Sequence, residues 1–141
     1  EAPRYVSWSR QNRSQLVRIP MVKGDNCRME LRSPDPACNP YLAIGLVLAA
    51  GLDGIEHRMV LPPPVNKNLF RPGEAEGLGL EMLPATLEEA VAIAEESDFL
   101  HKVLPEELSR RYFAEERARC EALRAAADPA EYERIHYFNA I

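Results

Sequence analysis

Hydrophobic and polar positions change period twice along the chain, and each period assigns an element type. Through about residue 32 the apolar residues come in short runs: Tyr5, Val6 and Trp8, then Leu16, Val17 and Ile19, then Cys27 to Leu31. Runs rich in β-branched and aromatic residues and bounded by turn formers predict strands. Lys23-Gly24-Asp25-Asn26 separates the last two runs with residues that tolerate positive φ, which predicts a hairpin. Pro34 and Pro36 then stop the sheet.

At Asn39-Pro40 the pattern becomes helical, because Asn is a preferred N-cap and Pro at the first helical position loses only an unused donor. Positions 41–52 are nearly all apolar, so a helix over 39–54 has no polar stripe and should be buried on all sides. Residues 57–85 are punctuated by Pro62-Pro63-Pro64, Pro72-Gly73, Gly77 and Gly79 and predict a long loop, a length associated with function or motion. Thr86 and Glu89 form a capping box that opens a helix to about Glu95. A second helix follows over Ser97 to Val103. A longer, strongly charged one starts at Pro105, and Asp128-Pro129 resets the chain for a short last helix. The end, Ile135 to Ile141, is apolar and aromatic; it either folds back on its own domain or inserts into a neighbouring subunit.

The predicted class is therefore α+β: a small antiparallel sheet of about three strands (residues 4–32), packed on a buried helix (39–54), then a helical C-terminal half. The expected organisation is a single unit over 1–141. It divides into strands at 1–36, the buried helix at 39–56, the loop at 57–85 and a helical region at 86–141.

Composition narrows the functional classes. With 46% hydrophobic and 28% charged residues in 141, the chain reads as one globular domain. A net charge of −5 argues against nucleic acid as a partner. No apolar run approaches the ~20 residues that span a bilayer, so no membrane partner is expected. Three cysteines, Cys27, Cys38 and Cys120, have no metal-ligand spacing and suit reduced thiols in a cytoplasmic protein. The chain starts at Glu1 with no initiator Met, as a piece of a longer protein would.

Candidate chemistry sits in Arg28-Met29-Glu30-Leu31-Arg32. Strand alternation puts Arg28, Glu30 and Arg32 on one face and Met29 and Leu31 on the other, where they could pack on the buried helix. Arg13 and Arg18, from the preceding strand region, would join them. Guanidinium groups bind phosphate and carboxylate in a bidentate fork, and the lone carboxylate would suit a hard divalent cation. Spacing alone fits equally a solvated face of cross-strand salt bridges, so periodicity suggests an anion site and names no reaction.

Ordered motifs go further. Glu1-Ala2-Pro3, Trp8-Ser9 and Asn12-Arg13-Ser14 running to Arg18-Ile19-Pro20 come first. Then follow Arg28-x-Glu30-x-Arg32, Pro34-Asp35-Pro36-x-x-Asn39-Pro40-Tyr41-Leu42, Ala50 to Ile55, Lys67-Asn68-Leu69-Phe70 and Leu83 to Leu87. In order and spacing the chain resembles the C-terminal part of the glutamine synthetase catalytic domain, of the bacterial type I kind.

The resemblance implies an ATP-dependent ligation of ammonium to glutamate through a γ-glutamyl phosphate. By motif position it makes Glu30 a ligand of one Mg²⁺ or Mn²⁺ ion and Arg32 a holder of glutamate. Arg13, Arg18 and Arg28 would bind ATP phosphates, with Arg13 also on the transferring group. Glu1 would be the flap acid that takes a proton from ammonium. It further implies a cytoplasmic homo-oligomer, a dodecamer of two stacked six-membered rings, with the apolar tail as a strap across them. Ser33 replaces an aromatic common after the last arginine, and Asp25 falls where many members have a nucleotide-contacting lysine, with Lys23 shifted. Phe70 stands where adenylylated bacterial members carry a tyrosine, and a phenyl ring has no hydroxyl to modify. His57, His101 and His136 do not match the family's histidine ligand, and only Glu30 matches among its metal ligands. The 141 residues alone are accordingly expected to be inactive. A glutamate–polyamine ligase of the same fold and a non-catalytic assembly module are the alternatives.

Overall fold

Local chain chemistry sets most of the element boundaries in the computed structural model, which describes residues 2–138 (Phe138 by its backbone only). Three two-residue strands, β1 (Trp8–Ser9), β2 (Val17–Arg18) and β3 (Glu30–Leu31), form one sheet in that order. The β2–β3 pair is the expected hairpin, antiparallel with Arg18 opposite Glu30. Gly24 provides the turn at φ +64°, a conformation that a Cβ would strain.

The first pair departs from the expected antiparallel sheet: β1 runs parallel to β2, with Trp8 opposite Val17. Residues 10–16 do not double back as a hairpin. Asn12 and Ser14 bend the segment through their side chains, Ser14 N–H donating to Asn12 Oδ1 at 3.0 Å and Asn12 N–H to Ser9 Oγ at 2.9 Å. The chain re-enters in the original direction, and strands this short need no long crossover. The sheet is mixed, and the class remains α+β.

Five helices follow: α1 (Pro40–Glu56), α2 (Leu87–Glu95), α3 (Asp98–Val103), α4 (Glu106–Ala125) and α5 (Pro129–Glu133). Four of their starts are capped as the residue types demand, while α4 begins after Pro105 without a side-chain cap. Asn39 Oδ1 accepts from the amides of Tyr41 and Leu42, Thr86 from Glu89, Ser97 from Leu100 and Asp128 from Glu131. A π-helical turn, Arg134–Phe138, continues α5.

The expected burial of the first helix is not observed. No residue of α1 is buried, and Tyr41 (87% exposed), Ile44, Leu48, Leu52 and Ile55 all face outward. Met29, which was to pack on it, is 55% exposed as well. A helix apolar on every side needs partners on several sides, and each of these side chains stays more than half exposed.

The chain divides into two compact units, one of residues 1–38 and 50–83, the other of 39–49 and 84–141. In the first, the 57–85 segment is the expected loop and is fastened to the strands. Val6 N–H donates to Glu81 O (2.9 Å), Leu83 N–H to Arg4 O (2.8 Å) and Val65 N–H to Trp8 O (2.8 Å). In the second, α2 lies on α4 around buried Val91 and Phe113. Ion pairs Glu88–Arg124 and Glu95–Arg117 border that seam. The turn of α5 packs back on α4, and Tyr137 sits in the field of Arg119 and Glu116 there, so the described part of the tail folds on its own unit. Positions 139–141 of the expected strap lie outside the described residues. Among these, no helix is long and apolar enough to cross a membrane.

Candidate functional site

The strand-bearing unit is built around polar groups. Ser9, Ser14 and Gln15 are its most deeply buried side chains, and Leu69 is its buried large apolar residue. Ser14 and Gln15, with Asn12, meet one short piece of the loop, and Ser9 Oγ holds Asn12 from behind. Asn12 Nδ2 donates to Lys67 O at 2.6 Å, Gln15 Nε2 to the same carbonyl at 3.0 Å, and Leu69 N–H to Ser14 Oγ at 2.8 Å. Trp8 Nε1 adds a bond to Pro62 O at 2.7 Å. A buried polar side chain is costly unless paired, so this clamp fixes the loop and the strands as one body.

On that body the arginines gather. Arg18 Nη1 reaches both oxygens of Glu30, at 2.9 and 2.8 Å, across the β2–β3 pair. Arg28, two residues before Glu30 and just ahead of β3, comes to the same carboxylate, Nε at 3.2 Å and Nη2 at 3.1 Å. The i,i+2 alternation therefore does place Arg28 and Glu30 together. The hydrogen bond from Arg18 is the main cause that holds the Glu30 carboxyl below its ordinary pKa; desolvation opposes it as the next largest effect, and the charge of Arg18 and then Arg28 add to the lowering.

Arg32 continues the ladder, its N–H donating to Leu16 O at 2.9 Å. Its guanidinium Nη1 is buried and has no hydrogen-bond partner. A buried cationic donor left open is the kind of group that an anion satisfies. Arg13, on the bend between β1 and β2, is exposed and has no ion pair among the described residues. Glu1, the expected flap acid, lies outside the described residues.

Charge is segregated between the units. The net charge of −5 hides ten basic and nine acidic residues in the first unit against seven and thirteen in the second. In the second, Arg110, Arg111, Arg117, Arg119, Arg124 and Arg134 are all ion-paired. In the first, among the described residues, only Arg18 and Arg28 are, and they share Glu30. Arg4, Arg10, Arg13, Arg32, Arg58 and Arg71 have no such partner there. The first unit's arginines are thus mostly without ion pairs among the described residues although nine acidic residues belong to the same unit.

A profile of the glutamine synthetase catalytic domain matches residues 1–135. The chain belongs to the glutamine synthetase catalytic-domain family. It is 43% identical over 136 residues to the glutamine synthetase of Methanosarcina mazei, covering 95% of this chain and 30% of that protein. To that of Methanocaldococcus jannaschii it is 42% identical over 128 residues, 89% of this chain and 28% of the relative. A Staphylococcus aureus glutamine synthetase is 37% identical over 139 residues, 97% and 31% respectively. The chain thus spans about 30% of the length of the curated relatives it matches.

Within a glutamine synthetase catalytic domain, the clamp joins two stretches that the sequence presents separately. Asn12-Arg13-Ser14 and Lys67-Asn68-Leu69 touch through side chain and backbone. Asn12 and Ser14 stand in the sequence as part of the motif around Arg13, without a structural role assigned, and Gln15 is not singled out there; the available signal was three uncharged polar residues flanking one arginine beside a strand. Phe70 is 41% exposed, and the neighbouring Leu69 is buried at 8%. As for a metal, no group of three or more His, Cys, Asp or Glu gathers among the described residues. Of the sequence-predicted residues, Glu30 could offer oxygen ligands, and a divalent cation beside Arg18 and Arg28 would need further negative charge, such as phosphate, to offset repulsion.

Proposed function

We propose that this chain is the part of a glutamate–ammonia ligase that holds the ATP phosphates and the glutamate carboxylate. The whole enzyme would form glutamine through a γ-glutamyl phosphate. One observation carries the reading: the buried Arg32 Nη1 is without a hydrogen-bond partner, two residues along the chain from the Glu30 that Arg18 and Arg28 share, on a unit whose other arginines are largely unpaired. Phosphoryl transfer of this kind depends on positioning and on offsetting charge, which forked guanidinium donors do. Arg13, Arg18 and Arg28 take phosphate oxygens, and Glu30 keeps the last two from repelling each other. Arg32 takes the glutamate carboxylate. Glu30 would hold one Mg²⁺ or Mn²⁺ ion, which when bound neutralises charge on the transferring phosphate. Glu1 would accept the proton that ammonium must lose before its nitrogen attacks the acyl phosphate. The protein would work in the cytoplasm as two stacked six-membered rings.

The 141 residues alone would not catalyse, since a single carboxylate cannot hold the metal charge that the transfer needs. The test has two arms. In the full-length protein, Arg32→Ala should raise the KM for glutamate about 100-fold, as loss of a charge-assisted fork does, with the KM for ATP little changed. An unmoved glutamate KM would remove Arg32 from the substrate site. The isolated chain should show no ATP-dependent glutamine formation, and measurable turnover would refute its inactivity.

A further inference from the structure

Two of the unpaired arginines do not belong to the face just described. Arg4 and Arg71 line a separate groove of about 800 Å³ in the same unit, and Arg13, Arg18, Arg28 and Arg32 do not line it. One wall is the segment Ala2–Tyr5, the other the turn-rich loop at 69–76. Both walls are held by bonds inside the chain. The Val6 and Leu83 amides tie the first to residues 81–83, and the Leu69 bond to Ser14 anchors the second. Glu74 N–H to Arg71 O (3.3 Å) and Glu76 N–H to Gly73 O (3.1 Å) then shape that loop, with Gly73 at φ +80°. A groove formed this way costs a ligand little ordering.

Its chemistry is specific in class. Two guanidinium groups without an ion pair among the described residues oppose one carboxylate, Glu76. Beside them lie the rings of Tyr5 and Phe70, the latter 41% exposed. On a surface where the second unit's arginines all find carboxylates, two open ones sharing a groove with an exposed aromatic ring leave both a charge and an apolar wall unanswered.

We propose that this groove binds a small organic anion: a carboxylate or phosphate monoester on a flat, apolar body. Arg4 and Arg71 take the anionic group, and Tyr5 and Phe70 take the body. The site stands on the groove alone and is independent of the ligase reading.

Calorimetric titration of the 141-residue chain with phenyl phosphate, benzoate and inorganic phosphate tests it at fixed ionic strength. Saturable binding of phenyl phosphate or benzoate, tighter than inorganic phosphate, is expected, and whichever of the two binds better identifies the anionic group. Arg4→Ala and Arg71→Ala should each weaken binding about tenfold. Glu76→Gln should tighten it by removing the opposing charge, so the proposal does not depend on loss alone. Arg117→Ala, on the other unit, should change nothing. Both groove arginines are exposed, so their replacement leaves packing intact. Absence of saturable binding, indifference to both arginine substitutions, or inorganic phosphate binding as tightly as phenyl phosphate would each overturn the proposal.

Discussion

The hydroxyl of Ser14 accepts the amide proton of Leu69 at 2.8 Å, across 55 positions of sequence. Ser14 is 1% exposed and Leu69 8%. The neighbours of Arg13 are thus committed to holding a distant loop, while Arg13 itself points to solvent. The same short motif is structural at its edges and exposed at its centre.

Ser14→Ala should therefore destabilise the chain by about 1–3 kcal/mol, the cost of leaving a buried amide without its acceptor. Arg13→Ala, an exposed substitution with no ion pair to lose among the described residues, should stay within about 0.5 kcal/mol. Urea unfolding of both variants checks the contrast, and equal costs would mean that the clamp does not hold the loop.

Acid titration should expose the Arg18–Glu30 pair. The folded-state pKa of Glu30 lies below its ordinary value, chiefly through the Arg18 hydrogen bond. Its contribution to stability is then complete above the unfolded-state pKa and disappears as pH falls through the lower folded-state value. Carboxyl-carbon NMR should find the Glu30 midpoint depressed, and Arg18→Ala should move it upward. Glu30→Gln should flatten the acid limb of the stability profile. A midpoint indifferent to Arg18 would remove the pair as its cause.

Features that a few neighbouring residues decide were legible in the sequence. Asn39, Thr86, Ser97 and Asp128 cap helices because each acts on amides two or three residues ahead. Gly24 turns a hairpin because only its own backbone is involved. Arg28 and Glu30 meet because strand alternation brings them to one side. The clamp was not legible, since the partners of Asn12 and Gln15 are backbone carbonyls more than fifty positions away, which carry no residue identity. The direction of β1 depended on how Asn12 and Ser14 bend the chain. The exposure of α1 could not be read either, because an apolar pattern states what a helix requires and not whether the partner is present.

Phe113→Ala should be the most damaging single change in the helical unit. The ring is 6% exposed at the α2–α4 seam, and emptying such a site costs about 3–5 kcal/mol. Thermal unfolding followed by circular dichroism would show it, whereas Arg110→Ala, on the exposed face of α4, should shift the midpoint little. Comparable shifts would place the unit's stability elsewhere than in that seam.

The open apolar helix should govern behaviour at high concentration. With Ile44, Leu48, Leu52 and Ile55 each more than half exposed, the chain should self-associate as concentration rises. Leu48→Glu together with Ile55→Lys should reduce the scattering mass while leaving helical ellipticity unchanged. Unaltered association in the double variant would assign it to another surface.

The polar clamp also sets an order of events. Its two halves are separated by the whole α1 excursion, so the strand-bearing unit cannot close when its first forty residues emerge from synthesis; it must wait for Lys67 and Leu69. Contacts this distant in sequence form late, after local helices, because the entropy of closing the intervening chain comes first. The arginine-bearing strands should therefore wait, during folding, for the loop that one serine and one glutamine hold.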